Sequence, residues 1–308
     1  MARQPRQPGA GEGNGGFGVN GIRAGLEAIY KALSLVRGIK IVLPLLLYFL
    51  FEIGVIILYV KGGPGFLDGF WRLFLPEGAA AAIRHYPQRL LMLPVLLGRL
   101  GIAFDVLLYS IAQGTTVLLI ASAISGGPIS LSGCLGRTMR RYWHIAGVML
   151  IATLALIAAT YIPSIPSSLG WVEHNRYLST GGGIILGILA QAFFLFALPF
   201  VLLRGEPLLG AIGRSFRFAG RRYLLALTLA AVPFVITIPT LLLGFKAQII
   251  SLRTFPELMM HIHILGEIMK LVSGYILIGG VTVALIEESP PASEPEGGKT
   301  PSTEEGAR

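Results

Sequence analysis

The chain has 308 residues, 54% of them hydrophobic and only 13% charged, and its mean hydropathy is +0.71. A soluble domain carries about 25% charged residues, so this chain lacks the polar groups to cover a water-facing surface, and its main solvent is lipid. A lone Cys134 excludes a disulfide-built scaffold, and the apolar middle excludes a disordered protein.

Residues 1–20 are rich in Gly, Pro and Gln and hold no apolar run, so they read as a disordered tail without the pattern of a cleavable leader. A spanning helix needs about 20 mainly apolar residues. Six segments meet that requirement: 39–60, 101–124, 143–162, 183–203, 223–244 and 263–286. The apolar run 89–100 either continues the second span or lies in the interface. Strict alternation of the β-barrel kind is absent. In the connection 61–88, Phe66, Phe70, Trp71 and Phe74 recur at helical spacing. That spacing suits a short helix at headgroup level, as does Trp171 in a later loop. Phe70, Trp71 and Phe74 are also the candidates for docking a membrane protein partner. Residues 288–308 form an acidic Pro/Gly/Ser/Thr tail that reads as disordered.

The formal net charge is +9, and without the acidic residues 286–308 it rises to +13. In so apolar a chain that excess is expected to face anionic lipid and not nucleic acid. Six spans put both termini on one side, and that side collects 16 Lys and Arg residues against eight opposite. The positive-inside rule therefore predicts cytoplasmic termini.

Three segments on the basic side share one design. LSGCLGRTMRRYW at 131–143 and LLGAIGRSFRFAGRRY at 208–223 align with Arg137 on Arg214, Thr138 on Ser215 and Arg140 on Arg217. A fainter copy, GLEAIYKALSLVRGIK at 25–40, places Lys31 at the same position. On a helical wheel Leu131, Leu135, Thr138, Met139 and Tyr142 oppose Arg137, Arg140 and Arg141. In the third copy Ile212, Ser215 and Phe216 oppose Arg214, Arg217 and Arg221. Such helices lie in the interface with basic residues toward lipid headgroups, each contributing about 1 kcal/mol near an anionic leaflet. The plainer alternative is that these arginines only hold loops on the cytoplasmic side. The expected fold is all-α: a polytopic membrane protein with six transmembrane helices in three tandem units, each led by an amphipathic interfacial helix. The units are 21–124, 128–203 and 205–287, all with the same orientation.

The motifs GRTMRR at 136–141 and GRSFRFAGRR at 213–222, each entering a span, resemble the membrane-domain superfamily of the YciC-like inner-membrane proteins. That superfamily also includes the membrane domain beside some glycerophosphodiester phosphodiesterases. The resemblance covers most of residues 21–287 and implies a prokaryotic inner-membrane protein. The soluble metal-binding barrel of the phosphodiesterases has no counterpart here, so their activity is not implied.

Ionisable residues inside spans are functional candidates, because a central charge costs about 2.5–3.5 kcal/mol even on the lenient insertion scale. Glu52, Asp105, Glu267 and Lys270 are the four that stand out, with Glu267 and Lys270 spaced to neutralise each other on one helix face. They read either as a polar cavity with a proton or cation site, or as structural interhelical bonds. Gln113, Thr115 and Thr116 read as packing positions. His261 and His263 point about 200° apart on a helix, which makes a weak metal signal. No HExxH, P-loop or GxSxG pattern occurs. The reading is therefore a protein without enzyme activity or cofactor: a lipid-contacting scaffold or an accessory subunit, bound to anionic lipids and to a protein partner or a second copy. The alternative is a transporter of a lipid or small amphiphile using Glu52, Asp105 and Glu267. A third reading is a membrane-embedded enzyme on lipid headgroups, with the arginines binding phosphate.

Overall fold

The computed structural model describes residues 17–62, 88–162, 176–253 and 255–288, and the described residues are helical with short connections and no strand. The candidate interfacial residues Phe70, Trp71, Phe74 and Trp171 lie outside the described residues. The helices are α1 (Phe17–Ser34), α2 (Ile39–Lys61), α3 (Gln88–Leu91), α4 (Leu93–Phe104), α5 (Ser110–Ile124), α6 (Leu131–Arg140) and α7 (Tyr142–Tyr161). They continue as α8 (Arg176–Phe194), α9 (Ala197–Leu203), α10 (Leu208–Arg221), α11 (Tyr223–Arg253) and α12 (Leu258–Glu288). Helix α1 begins inside the segment expected to be disordered, at Phe17 and not at residue 21.

Six stretches are long and apolar enough to cross a membrane. They are α2, Leu93–Ile124, Tyr142–Thr160, Gly181–Leu203, Tyr223–Thr240 and α12. The second starts at Leu93, so the apolar run before residue 101 belongs to the span. A five-residue π turn, Asp105–Tyr109, joins α4 to α5 within it. Within the longer second and sixth helices the ionisable residues Asp105 and Lys270 sit near mid-length, farther from the ends than in the segments 101–124 and 263–286.

Each span packs on its neighbour in chain order, and α12 packs on α2, so the six form a closed ring. The sixth span is the most enclosed, with 67% of its apolar window buried against 17% for the third. One large core runs through the bundle, and a second cluster of Ile56, Tyr59, Leu93, Leu96 and Leu100 joins α2 to α4.

The short helices α1, α6 and α10 lie at one end of the bundle, each just ahead of a span. There α12 ends against them, with Glu287 on Lys31 and Glu288 on Arg222. Turns with left-handed glycines, Gly126 at φ 68° and Gly205 at φ 72°, precede α6 and α10. At the start of α6 the Ser130 hydroxyl accepts from the Gly133 N–H at 3.3 Å, satisfying one free amide of the first turn. Helix α1 docks on the fifth and sixth spans, α6 on the second and α10 on the fourth. Their buried faces are narrow: Ala28, Ile29 and Ala32 on α1, Cys134 and Thr138 on α6, and Ala211, Ser215 and Ala219 on α10, all small except Ile29. The larger apolar residues beside them, including Leu33, Leu135, Met139 and Phe216, are exposed. The apolar stripe read from the sequence thus divides into an edge against protein and an edge facing outward.

Ser215 shows what the small residue can do. The fourth span breaks between α8 and α9, freeing backbone groups that a bilayer cannot satisfy. The Ser215 hydroxyl donates to the Phe193 carbonyl at 2.6 Å and accepts from the Phe196 N–H at 3.2 Å. Its equivalent Thr138 donates to Cys134 O on its own helix, and its oxygen lies 3.4 Å from the Thr115 hydroxyl oxygen.

Candidate functional site

The acidic and basic residues singled out inside the spans converge. Helix α2 contributes Glu52 and, one turn earlier, Tyr48; the π turn contributes Asp105 and Tyr109; α12 contributes Glu267 and Lys270. The Lys270 Nζ donates to Asp105 Oδ1 at 3.0 Å and reaches both Glu52 oxygens at 3.3 Å. Glu267 Oε2 stands 3.9 Å away, outside hydrogen-bond range. The sequence spacing pairs Lys270 with Glu267, but the closer partners are on other helices. Because α2 and the π turn both press against α12, its ammonium bridges three elements and not one turn of its own helix.

The Tyr48 hydroxyl lies 2.7 Å from Glu52 Oε1 and 2.8 Å from Asp105 Oδ1. The rings of Tyr48, Phe49 and Tyr109 surround the ammonium at 5.6–5.7 Å, within the range in which an aromatic face attracts a cation. Tyr48 stacks on Tyr109 with centroids 5.0 Å apart. The π turn carries one more residue than an α-turn would, and such insertions recur at functional sites. Here it presents Asp105 and Tyr109, four apart, to the same cluster. Gly274 of α12 passes directly over the Tyr109 hydroxyl, where a β-carbon would collide with the phenol oxygen.

Two cavities meet at this cluster. The larger, about 410 Å³, lies among the second to sixth spans. Most of its wall is apolar, with polar groups from Gln113, Thr153, Gln191 and Ser273 besides Asp105 and Lys270. The smaller, about 230 Å³, lies between α2, α4 and α12 and contains Glu52 and Glu267. Asp105 and Lys270 border both, so the ion pair is the partition between them.

The basic residues of the interfacial helices do not form one array. Lys31 pairs with Glu287 at 2.5 Å, and the hydrogen bond and charge of Glu287 raise its ammonium above the usual lysine value. Arg214 pairs with Glu206 at 2.7 Å. Arg141 donates to the Val201 carbonyl at 3.2 Å and so ties α6 to the fourth span. Arg137, Arg140, Arg217 and Arg221 are exposed, and no carboxylate pairs with them among the described residues. Arg137, Arg140, Arg141 and His144 border a concavity of about 660 Å³ closed by Glu206 and Pro207.

Thr115 and Thr116 bond to carbonyls of their own helix, while Gln113 faces the larger cavity. His261 sits against the Glu257 carbonyl, and the His263 Nε2 is buried without a partner. Sequence reasoning missed Tyr48, Tyr109 and the larger, mostly apolar cavity, while a polar cavity at the four ionisable residues was one of its two readings. The only available signal was Tyr48 four residues before Glu52 and Tyr109 four after Asp105. Comparison with known proteins gives no match, whether by family model, by curated protein or by solved structure. Function rests on the residues themselves.

Proposed function

We propose that this polytopic membrane protein is a carrier that takes an amphiphile into the larger cavity and moves it across the bilayer. This is the transporter reading and displaces the scaffold as the leading one. The observation that carries it is the cluster of Glu52, Asp105, Glu267 and Lys270 set between two cavities. A scaffold gains nothing from three acids and a lysine in lipid, because apolar packing of similar volume is as stable or more so. A volume of about 410 Å³, apolar with a few convergent polar groups, has the character of a small-molecule site. The apolar wall suits the ligand's hydrocarbon part, and Lys270, Gln113 and Gln191 suit its polar end.

The test is extraction in native-membrane nanodiscs followed by mass spectrometry of retained small molecules. A defined amphiphile is expected with the unaltered protein and is expected to be lost from Ala152→Trp, which fills the cavity. Equal retention by both proteins, or a stoichiometric protein partner with no small ligand, would return the scaffold to first place.

A second reading concerns the exposed end carrying α1, α6 and α10, which we take to be cytoplasmic. The unpaired Arg137, Arg140, Arg217 and Arg221 stand beside exposed apolar residues, the arrangement of an interfacial helix on anionic lipid. We also read the six spans as three units. The support is that Ala32, Thr138 and Ser215, equivalent in the alignment, are all fully buried. Each packs on the second span of the unit before it, the first unit following the third.

A further inference from the structure

The cluster is short of hydrogens. Tyr48 makes two oxygen–oxygen contacts, 2.7 Å to Glu52 and 2.8 Å to Asp105, and a phenol has one hydrogen to place between them. Two acceptor oxygens without a hydrogen between them repel at that separation. The second hydrogen must come from a carboxyl group, which then donates to the phenol oxygen. Charge balance leads the same way: three carboxylates and one ammonium sum to −2 if all are ionised, at mid-length of three helices in lipid.

Glu267 is the acid that the cluster leaves unserved. Lys270 donates to Asp105 and Glu52, Tyr48 faces the same two, and Glu267 Oε2 is buried with no hydrogen-bond partner. Glu52 lines the same smaller cavity. One turn toward the start of α12, on the same helix face, His263 Nε2 is a second buried polar atom without a partner. His263, Glu267 and Lys270 follow one another at four- and three-residue steps and so share one face of α12. The smaller cavity is lined by Glu52 and Glu267 and, on α4, by Gly98 and Gly101, at each of which an added β-carbon would meet nothing within 4 Å.

We propose that the cluster is a proton-binding site loaded through Glu267, with His263 as the relay residue beside it. The proposal rests on the carrier reading and names the coupling ion. A hydronium ion gives up its proton and is left as water; the proton is relayed by His263 Nε2 to Glu267 Oε2 and passes on to Glu52. There it fills the second Tyr48 contact, and the formal charge of the cluster changes from −2 to −1. A metal ion is the poorer occupant: the Lys270 ammonium already stands where a cation would bind, and no metal-holding group of His, Cys, Asp or Glu occurs among the described residues. The other charged residues on the elements packed beside this line are Lys61 on α2, Arg89 on α3, Arg99 on α4, and Lys246 and Arg253 on α11; Lys40 of α2 and Arg23, Glu27 and Lys31 of α1 lie toward the opposite end of α12.

The experiment is infrared difference spectroscopy of the full chain in lipid nanodiscs, stepped between mildly acidic and mildly alkaline buffer without added ligand. A protonated-carboxyl C=O band that titrates is expected, with a downshift in heavy water. Glu52→Gln, an isosteric change at the group that holds the proton, should abolish the titration, and Glu267→Gln and His263→Gln should each keep the band but slow its appearance after a pH jump. The exposed His261→Gln is the control and should change neither. No titrating carboxyl band, one that survives Glu52→Gln in a folded protein, or a rate unchanged by Glu267→Gln would overturn the proposal. Because no ligand is present, that outcome is separate from failure of the amphiphile-retention test.

Discussion

Lys270 is the residue on which the centre of the protein depends. It gathers carboxylates from two other helices, and its removal would leave Glu52, Asp105 and Glu267 with no cation among them. Breaking a buried ion pair from one side costs roughly 3–5 kcal/mol. Lys270 keeps a third of its side-chain surface accessible, so Lys270→Met is expected to lose about 3 kcal/mol, the lower end of that range, in equilibrium unfolding in mixed micelles. Adding Asp105→Asn removes one of the stranded charges and should recover part of the loss. A double variant as unstable as the single one would mean that the two groups are not coupled. The four members of this cluster were legible in the sequence, because an ionisable group in an apolar run is conspicuous by its cost. Their mutual partners were not. Spacing along one helix favours Glu267 for Lys270, while the nearer acids come from residues 165 and 218 positions away.

At the scale of the element, the six spans are read directly from hydropathy, since twenty apolar residues in lipid have no alternative to a helix. The amphipathic helices are legible in kind and only partly in use. A wheel shows which face is apolar, but protein and lipid are both apolar, so it cannot say which part of the stripe is covered by protein. Small residues answer that question: they allow backbones to approach, and they mark the protein side. One such close approach is at Gly279 of α12, where an added β-carbon would lie 2.7 Å from the β-carbon of Ala32. Since Ala32 has no torsion to turn away, Gly279→Val is expected to push α1 off the bundle, at a cost of about 1–3 kcal/mol. Hydrogen exchange along α1 would report the loss. Gly266→Val, on the same helix with open space around it, is the control. If the three-unit reading holds, Thr138→Leu and Ser215→Leu should loosen α6 and α10 in the same way. Unchanged protection in both would argue that the shared register is only a topology signal.

At the scale of the whole molecule, orientation and closure are different kinds of question. Orientation was argued from the asymmetry of Lys and Arg between loops, and the chain's packing carries no information on which side of a membrane each end faces. Cysteine labelling decides it: with Cys134 replaced by Ser, Glu294→Cys should be protected in intact cells and Glu173→Cys should react with an impermeant maleimide. The opposite pattern would reverse the assignment and move the arginines to the outer face. Closure is a packing result. The last span returns to the first, and α1 packs across the fifth and sixth.

The sequence by itself determined that the chain is all-helical, crosses the membrane six times and carries four ionisable residues inside the spans. Those properties are local, fixed by the transfer cost of side chains and backbone over one helix length. Only the tertiary structure decided that the six helices close into a ring, that Asp105 begins a π turn, and that Lys270 separates two cavities. Those depend on side chains far apart in sequence, and no period along a single helix encodes the distance between two helices.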